Sequence, residues 1–377
     1  MASRTPRISP MRTLLFLAIC SSPLAAAGPA LDASTARVDG GTAWYDIRAL
    51  GIEGQGWTDV KAPFDRFPAK AEKTVRPPVW GLSRHSTGLC VRFLSETTAI
   101  QAKWTVTNKN LAMPHMPATG VSGLDLYVKL KGRWQWIGNG RPSGETTTTQ
   151  LVSGLFAGEK EFLLYLPLYN GVSSVEIGIP KNLNLKKADP YPADRAKPVV
   201  FYGTSITQGG CASRPGMVHT SILGRKFDRP MINLGFSGNG TLDLPVADLL
   251  AEIDAAVYVL DCIPNLSPAQ VAERTEPFVL ALRKAKPTTP IVLVEDRTYT
   301  NAPAIPGVAK RNAEGRAANK AAFDKLVAAG DKNLFYIPGD KLMGDDGEGT
   351  VDSSHPTDLG FLRQAEAFAE VLGPLLK

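Results

Sequence analysis

Four short stretches of the chain carry residue types that suit nucleophilic acyl transfer. In "FYGTSITQGG", Phe201 to Gly210, an aliphatic run ends on Ser205, a small hydroxyl flanked by Gly203, Gly209 and Gly210. A hydroxyl presented at a strand tip is a candidate nucleophile when a base stands beside it. In "DSSHP", Asp352 and His355 lie three residues apart, so the carboxylate can fold back onto Nδ1 of the imidazole and leave Nε2 free to take a proton. Gly238 in "NLGFSGNG" and Asn265 in "DCIPN" offer a backbone N–H and a side-chain amide. With the Ser205 N–H these are the donors an oxyanion needs, and Gly238 lacks a side chain that would keep a substrate away. Singly, each has an ordinary reading: a turn glycine, a turn-maker beside Pro264, an aspartate that only caps a helix. Their recurrence at successive strand ends argues for one site.

The elements that would position these groups are legible as two halves. From Thr42 to Pro180 the hydrophobic period is two. Ile100, Ala102, Trp104 and Val106 alternate with polar residues, as do Leu124, Leu126, Val128 and Leu130, and then Val175, Ile177 and Ile179. This predicts an antiparallel β-sandwich. Residues 181–198, rich in lysine and proline, read as a linker. Beyond it, "PVVFYG", "PMINLGFSG", "AAVYVLDC", "PIVLVEDRT" and "NLFYIPGD" are continuous apolar runs separated by helical stretches, which predicts a five-stranded parallel sheet covered by helices on both faces. The closing segment puts Phe361, Ala365, Phe368 and Leu372 on one helical stripe. Reactive groups in such flavodoxin-like, three-layer domains gather at the carboxyl ends of the strands.

The chain has 377 residues and is 44% hydrophobic, enough for two domains with sizeable cores. Arg4, Arg7 and Arg12 precede the apolar run Leu14–Cys20, and "PLAAAG" offers a cleavage site after Ala27, the layout of a secretory signal peptide. Met11 is an alternative start. The division is therefore signal peptide 1–27, sandwich 28–187 and α/β domain 188–377, with the product exported to the periplasm or medium. Loss of the signal removes three arginines and no acid, taking the net charge from +6 to +3. That charge argues against nucleic acid as a partner, and no mature segment is long and apolar enough for stable membrane insertion. Cys90, Cys211 and Cys262 read as packed free thiols, with a Cys211–Cys262 disulfide as the alternative.

Residues 196–377 resemble the SGNH (GDSL-like) serine hydrolases, whose four blocks stand in order as "GTSIT", "NLGFSGNG", "DCIPN" and "DSSHP". The resemblance implies Ser205 as nucleophile and oxyanion donor, Gly238 and Asn265 as further oxyanion donors, His355 as base and Asp352 as its orienting acid. Two departures are visible. Thr204 stands where the family usually has aspartate, and "DCIPN" replaces the usual Gly-x-Asn-Asp. "SGLDLYVKLKGRWQWIG", Ser122 to Gly138, looks like the Gly-x-Asp-Leu-Tyr sandwich that precedes a subset of these secreted bacterial hydrolases.

The function implied is an exported serine esterase that cleaves an oxygen ester, a short acyl (acetyl) group on a carbohydrate, through an acyl-enzyme and with no cofactor. Its partner is then a small-molecule or polysaccharide ester. The alternatives are a lipase or phospholipid-type acyl hydrolase, and a carbohydrate-binding protein without activity, which Thr204 and the altered third block keep open. His115, in the proline-rich loop "LAMPHMPATG", and His85 read as structural, although a loop of this kind can reach over a neighbouring active site. Trp134 and Trp136 share a strand face where core packing is the commoner fate. No two histidines have the spacing of zinc ligands, so no metal site is expected.

Overall fold

The computed structural model describes Met1 and residues 28–377. Of the segment read as a signal peptide, residues 2–27 lie outside the described residues.

Ten strands build two antiparallel sheets. They are β1 (Arg37–Asp39), β2 (Thr42–Asp46), β3 (Cys90–Ser95), β4 (Ala99–Val106), β5 (Leu124–Leu130), β6 (Arg133–Gly140), β7 (Thr146–Ser153), β8 (Lys160–Tyr165), β9 (Val172–Pro180) and β10 (Lys186–Lys187). One sheet runs β1-β2-β9-β4-β7 and the other β10-β3-β8-β5-β6. The alternation of β4 is an alternation of burial: Ile100, Ala102, Trp104 and Val106 all point inward, because successive side chains of a strand face opposite ways. They meet Phe93, Leu126 and Phe162 of the facing sheet in one core, so the two sheets form a β-sandwich.

Between β2 and β3 the period of two breaks down. Pro63, Pro68, Pro77 and Pro78 remove ladder donors, and among the described residues this stretch makes only isolated bridges. It keeps Ile47, Leu50, Phe64 and Leu89 in the sandwich core but packs Trp57, Phe67, Ala71, Val75 and Val79 into the core of the carboxyl-terminal half. The sequence-based sandwich from Thr42 to Pro180 is thus interrupted by a segment that serves the other half.

The carboxyl-terminal half is a parallel sheet of β11 (Val199–Gly203), β12 (Met231–Gly235), β13 (Val257–Asp261), β14 (Ile291–Val294) and β15 (Leu334–Ile337), in the order β12-β11-β13-β14-β15. That is the flavodoxin-like order, with its reversal at β11. Val200, Tyr202, Tyr258 and Leu260 pack against helices Leu244–Leu250, Pro268–Ala285 and Pro306–Ala328. Val199, Phe201, Val257 and Val259 pack against helices His219–Phe227 and Asp358–Leu375. The expected stripe Phe361, Ala365, Phe368 and Leu372 is buried. Cys90, Cys211 and Cys262 are buried free thiols.

Two polar clamps hold the halves together. Arg66, 1% exposed, donates to the carbonyls of Leu82 (2.7 Å), His85 (2.9 Å), Asn233 (3.0 Å) and Gly235 (2.9 Å). A buried guanidinium is tolerable only when its donors are satisfied in this way. Asp125 of β5, fully buried, accepts from Arg214 (2.8 Å), the Gly216 N–H (2.8 Å) and the Trp136 indole (2.7 Å). Tyr127, two residues on, accepts from Arg214 at 2.6 Å. The Asp-Leu-Tyr stretch therefore seats the sandwich on the loop that follows Ser205. Trp136 remains 41% exposed above this clamp rather than entering a core.

His219 is fully buried among Phe201, Phe361 and Phe368, and neither ring nitrogen has a hydrogen-bond partner. Burial disfavours its cation and holds the pKa down at about 3. The unfolded chain takes up this proton near pH 6.5, so from there down to about pH 3 it binds more protons than the folded chain, and stability falls with falling pH. His219→Phe should flatten the dependence of the thermal midpoint between pH 7 and pH 4. An unchanged pH profile in the variant would contradict this assignment.

Candidate active site

Ser205 is the first residue of a four-residue helix, Ser205–Gln208, that turns sharply off β11. Thr204 caps it, its hydroxyl accepting from the Ile206 N–H at 3.3 Å. A threonine thus does the capping that a carboxylate could do at that position. The turn is compact because glycines allow it: a Cβ on Gly240 would collide with the Gly203 carbonyl, and one on Gly235 with the Gln208 backbone. Both β11 and β12 therefore deliver their carboxyl ends to the same point. Thr207 anchors the helix from below, donating to buried Asp261 at 3.1 Å, and Asp261 is paired in turn with Arg297.

The loop Thr350–Pro356 closes over this point, and one carboxylate organises it. Asp352 Oδ1 accepts from the backbone N–H of Ser354 (3.1 Å) and His355 (2.7 Å), which bends the chain back on itself. Its Oδ2 accepts from His355 Nδ1 at 2.7 Å. His355 Nε2 lies 2.8 Å from Ser205 Oγ. With Nδ1–H committed to the carboxylate, Nε2 is the acceptor for the serine hydroxyl. Burial pushes the Asp352 pKa up, but the hydrogen bonds from the His355 backbone and ring outweigh it, and the net shift is below the ordinary value. The helix cap that an Asp-x-x-His pair might have been is supplied instead by Thr357, which accepts from the Gly360 N–H at 3.3 Å.

The turns that carry the remaining candidate donors pack against the Ser205 segment. Gly238 has a φ of +68° in the turn where Phe236 O accepts from Asn239 N–H at 2.8 Å. Positive φ is one need for a glycine there, and a Cβ on Gly238 would meet nothing within 4 Å, while Gly240 makes the close approach to the chain's own Gly203 carbonyl. Among the described residues neither the Gly238 N–H nor the Ser205 N–H has an acceptor. The Asn265 amide is satisfied when its Oδ1 accepts from Asn239 N–H (3.0 Å) and Gly240 N–H (3.2 Å), which turns Nδ2 away from that turn. "DCIPN" is thereby tied to "NLGFSGNG". A hydroxyl on a base, a base on a carboxylate and unpaired N–H donors nearby are the parts of an acyl-transfer centre.

The loop carrying His115 reaches this centre, which spacing in the sequence could not reveal. The His115 ring stands edge-on to His355, centroids 6.0 Å apart. His115, Asp352 and His355 bring ligand atoms within 4.8 Å of one another, a donor set that a divalent transition metal can take. Here Asp352 and His355 are engaged with each other and with Ser205. Tyr169, not singled out in the sequence, donates to the Ser205 carbonyl at 3.0 Å, and Gln208 accepts from the Ser237 N–H at 2.9 Å.

Residues 196–373 match the GDSL-like lipase/acylhydrolase family, and residues 42–185 match the GxDLY domain, the N-terminus of Esterase_SGNH_hydro-type proteins. A protein from Bacteroides ovatus ATCC 8483 described as a GDSL-like lipase is 37% identical, over 89% of this chain and 98% of its own, with a TM-score of 0.84. The salicylyl-acyltransferase SsfX3 from a tetracycline biosynthetic pathway shares the fold at 19% identity and a TM-score of 0.69, over 93% of this chain and 98% of its own. A family two carbohydrate esterase from Clostridium thermocellum, in complex with cellohexaose, does so at 14% and 0.54, over 77% and 95%. No curated protein matches the chain.

Ser205→Ala and His355→Ala should each lower kcat/KM for p-nitrophenyl acetate by at least about 10³-fold, Asp352→Asn by roughly 10²–10⁴-fold and Asn265→Ala by roughly 10²–10³-fold. Because hydrogen bonds hold the Asp352 carboxyl below its ordinary range, its protonation should add nothing to the acid limb of the kcat/KM profile above about pH 4, and that limb should have unit slope. A slope of two would show the carboxylate titrating in the same window.

Proposed function

Since the chain belongs to the GDSL-like lipase/acylhydrolase family, and so to the ester-hydrolysing serine hydrolases, we propose that it is an exported esterase removing short acyl groups, acetyl first, from a carbohydrate. The observation that carries the mechanism is the unbroken chain from Ser205 Oγ through His355 to Asp352, in steps of 2.8 and 2.7 Å. Ser205 attacks the ester carbonyl while His355 Nε2 takes its proton. The negative charge that develops on the carbonyl oxygen falls to the N–H groups of Ser205 and Gly238 and to Asn265 Nδ2. Such preorganised donors are each worth on the order of 10²–10³ in rate. Collapse of the tetrahedral intermediate breaks the bond to the alcohol, whose oxygen receives the proton from His355. Water, deprotonated by the same nitrogen, then attacks the acyl-enzyme and frees Ser205. Asp352 stays ionised throughout and stabilises the imidazolium. No step calls for a cofactor.

The carbohydrate reading draws support from fold-level analogy with carbohydrate esterases and from the sandwich seated beside the centre. Export rests on the arginine-flanked apolar run before Ala27. No helix among the described residues is long and apolar enough to cross a membrane. One observation favours a lipid-type ester instead: Val351 and Ile305, on the two loops that meet beside Asp352, are 46% and 43% exposed. Acyl-chain length separates the two. On p-nitrophenyl esters from C2 to C12, kcat/KM should be highest at C2 and fall at least tenfold by C8, with acetate released from acetylated xylan. A maximum at C8 or beyond, without acetate release, would favour the lipid reading.

A further inference from the structure

The chemistry fixes where the alcohol half of an ester must lie. His355 returns its proton to the departing oxygen, so that oxygen sits within hydrogen-bond reach of Nε2, and the groups around the imidazole are neighbours of the alcohol rather than of the acyl chain. One such group is the exposed His115 ring, from the loop between β4 and β5. Met113 and Pro114, immediately before it, line a cleft of about 750 Å³ whose other walls include His85, Asn108, Asn110 and Tyr169. Tyr169 is the residue whose hydroxyl donates to the Ser205 carbonyl. The cleft thus lies in the sandwich half, next to the His115 loop on one side and, through Tyr169, to the segment that carries Ser205 on the other.

One donor in this cleft has its state fixed by the surrounding network. The Ser237 N–H can only donate, so the Gln208 oxygen it meets at 2.9 Å is the acceptor and the Gln208 nitrogen is the donor. That nitrogen donates to the Leu168 carbonyl at 3.2 Å and to His85 Nδ1 at 3.0 Å. His85 therefore accepts at Nδ1 and carries its proton on Nε2. Among the described residues Nε2–H has no acceptor, and it is not sealed from solvent. Burial, with Arg66 nearby, holds the His85 pKa down at about 4, so the ring remains a neutral donor at ordinary pH.

We propose that this cleft is the leaving-group subsite and takes a polyhydroxylated alcohol, with His85 Nε2–H hydrogen-bonding one of its hydroxyls and the His115 ring covering the sugar next to the ester oxygen. The inference rests on the esterase reading above and deepens it. An aliphatic alcohol would cover the His85 donor without giving it a partner, at a cost that a sugar's hydroxyls remove. The sandwich is then a wall of the active site as well as a support for it.

The test compares esters that share an acetyl group and differ in the alcohol: acetylated xylotriose, ethyl acetate and p-nitrophenyl acetate, with wild type, His85→Phe and the exposed-site variant His115→Phe. Wild type should prefer the xylotriose ester to ethyl acetate, and each variant should lower the ratio of kcat/KM for xylotriose acetate over p-nitrophenyl acetate by about tenfold, mainly through KM. An unchanged ratio in both variants, or equal losses on all three esters, overturns the subsite. A wild type that hydrolyses all three without preference overturns it too and leaves the esterase reading intact. Inertness of the wild type towards every ester defeats both.

Discussion

A hydroxyl and an imidazole held 2.8 Å apart, from positions 205 and 355, are the constraint that the rest of the structure serves. Neither local segment can create that contact. It requires the first strand of the parallel sheet and the loop before the last helix to arrive at one point, which the strand order β12-β11-β13-β14-β15 provides at its reversal. It also requires backbones to approach more closely than side chains permit. Gly235 and Gly240 let the second strand and its turn lie directly on the Ser205 segment. The buried Asp261–Arg297 pair and Thr207 then hold that segment from beneath.

Asp352 shows how local and long-range structure are joined in one group. Its two oxygens divide the work, Oδ1 bending the loop by accepting two backbone N–H groups and Oδ2 orienting the imidazole. Those same hydrogen bonds keep it ionised, so the bend that shapes the loop also sets the tautomer of His355. Loss of the carboxylate would loosen the loop as well as the base.

The five apolar runs of the parallel sheet, the closing helical stripe and the alternating strands of the sandwich were readable because each is a local pattern repeated in sequence. Ser205 and the Asp352–His355 pair were readable for a similar reason, since a glycine-flanked serine at a strand end and a carboxylate three residues before a histidine are short-range signals. What escaped depends on partners far away in the chain. Between Trp57 and Val79, Phe64 enters the sandwich core while Trp57, Phe67, Ala71, Val75 and Val79 enter the core of the other half, and nothing in the composition of the stretch says which sheet each will cover. Trp136 is drawn to the surface by its bond to Asp125 and by Arg214, 5.0 Å from its ring. His115 gains its place beside His355 only when the two halves dock through Arg66 and Asp125, and His85 acquires its tautomer only through Gln208 and Ser237. The positive φ of Gly238 and the packing of Gly240 on the Gly203 carbonyl likewise appear only in the folded turn.

The most direct measurement of the central claim is covalent trapping. A fluorophosphonate, which phosphorylates only a serine activated as a nucleophile, should add once per chain, and peptide mass spectrometry should place the adduct on Ser205. The same reagent should fail to label a folded His355→Ala protein at a comparable rate. Labelling of another residue, or labelling of Ser205 that is indifferent to the loss of His355, would contradict the account.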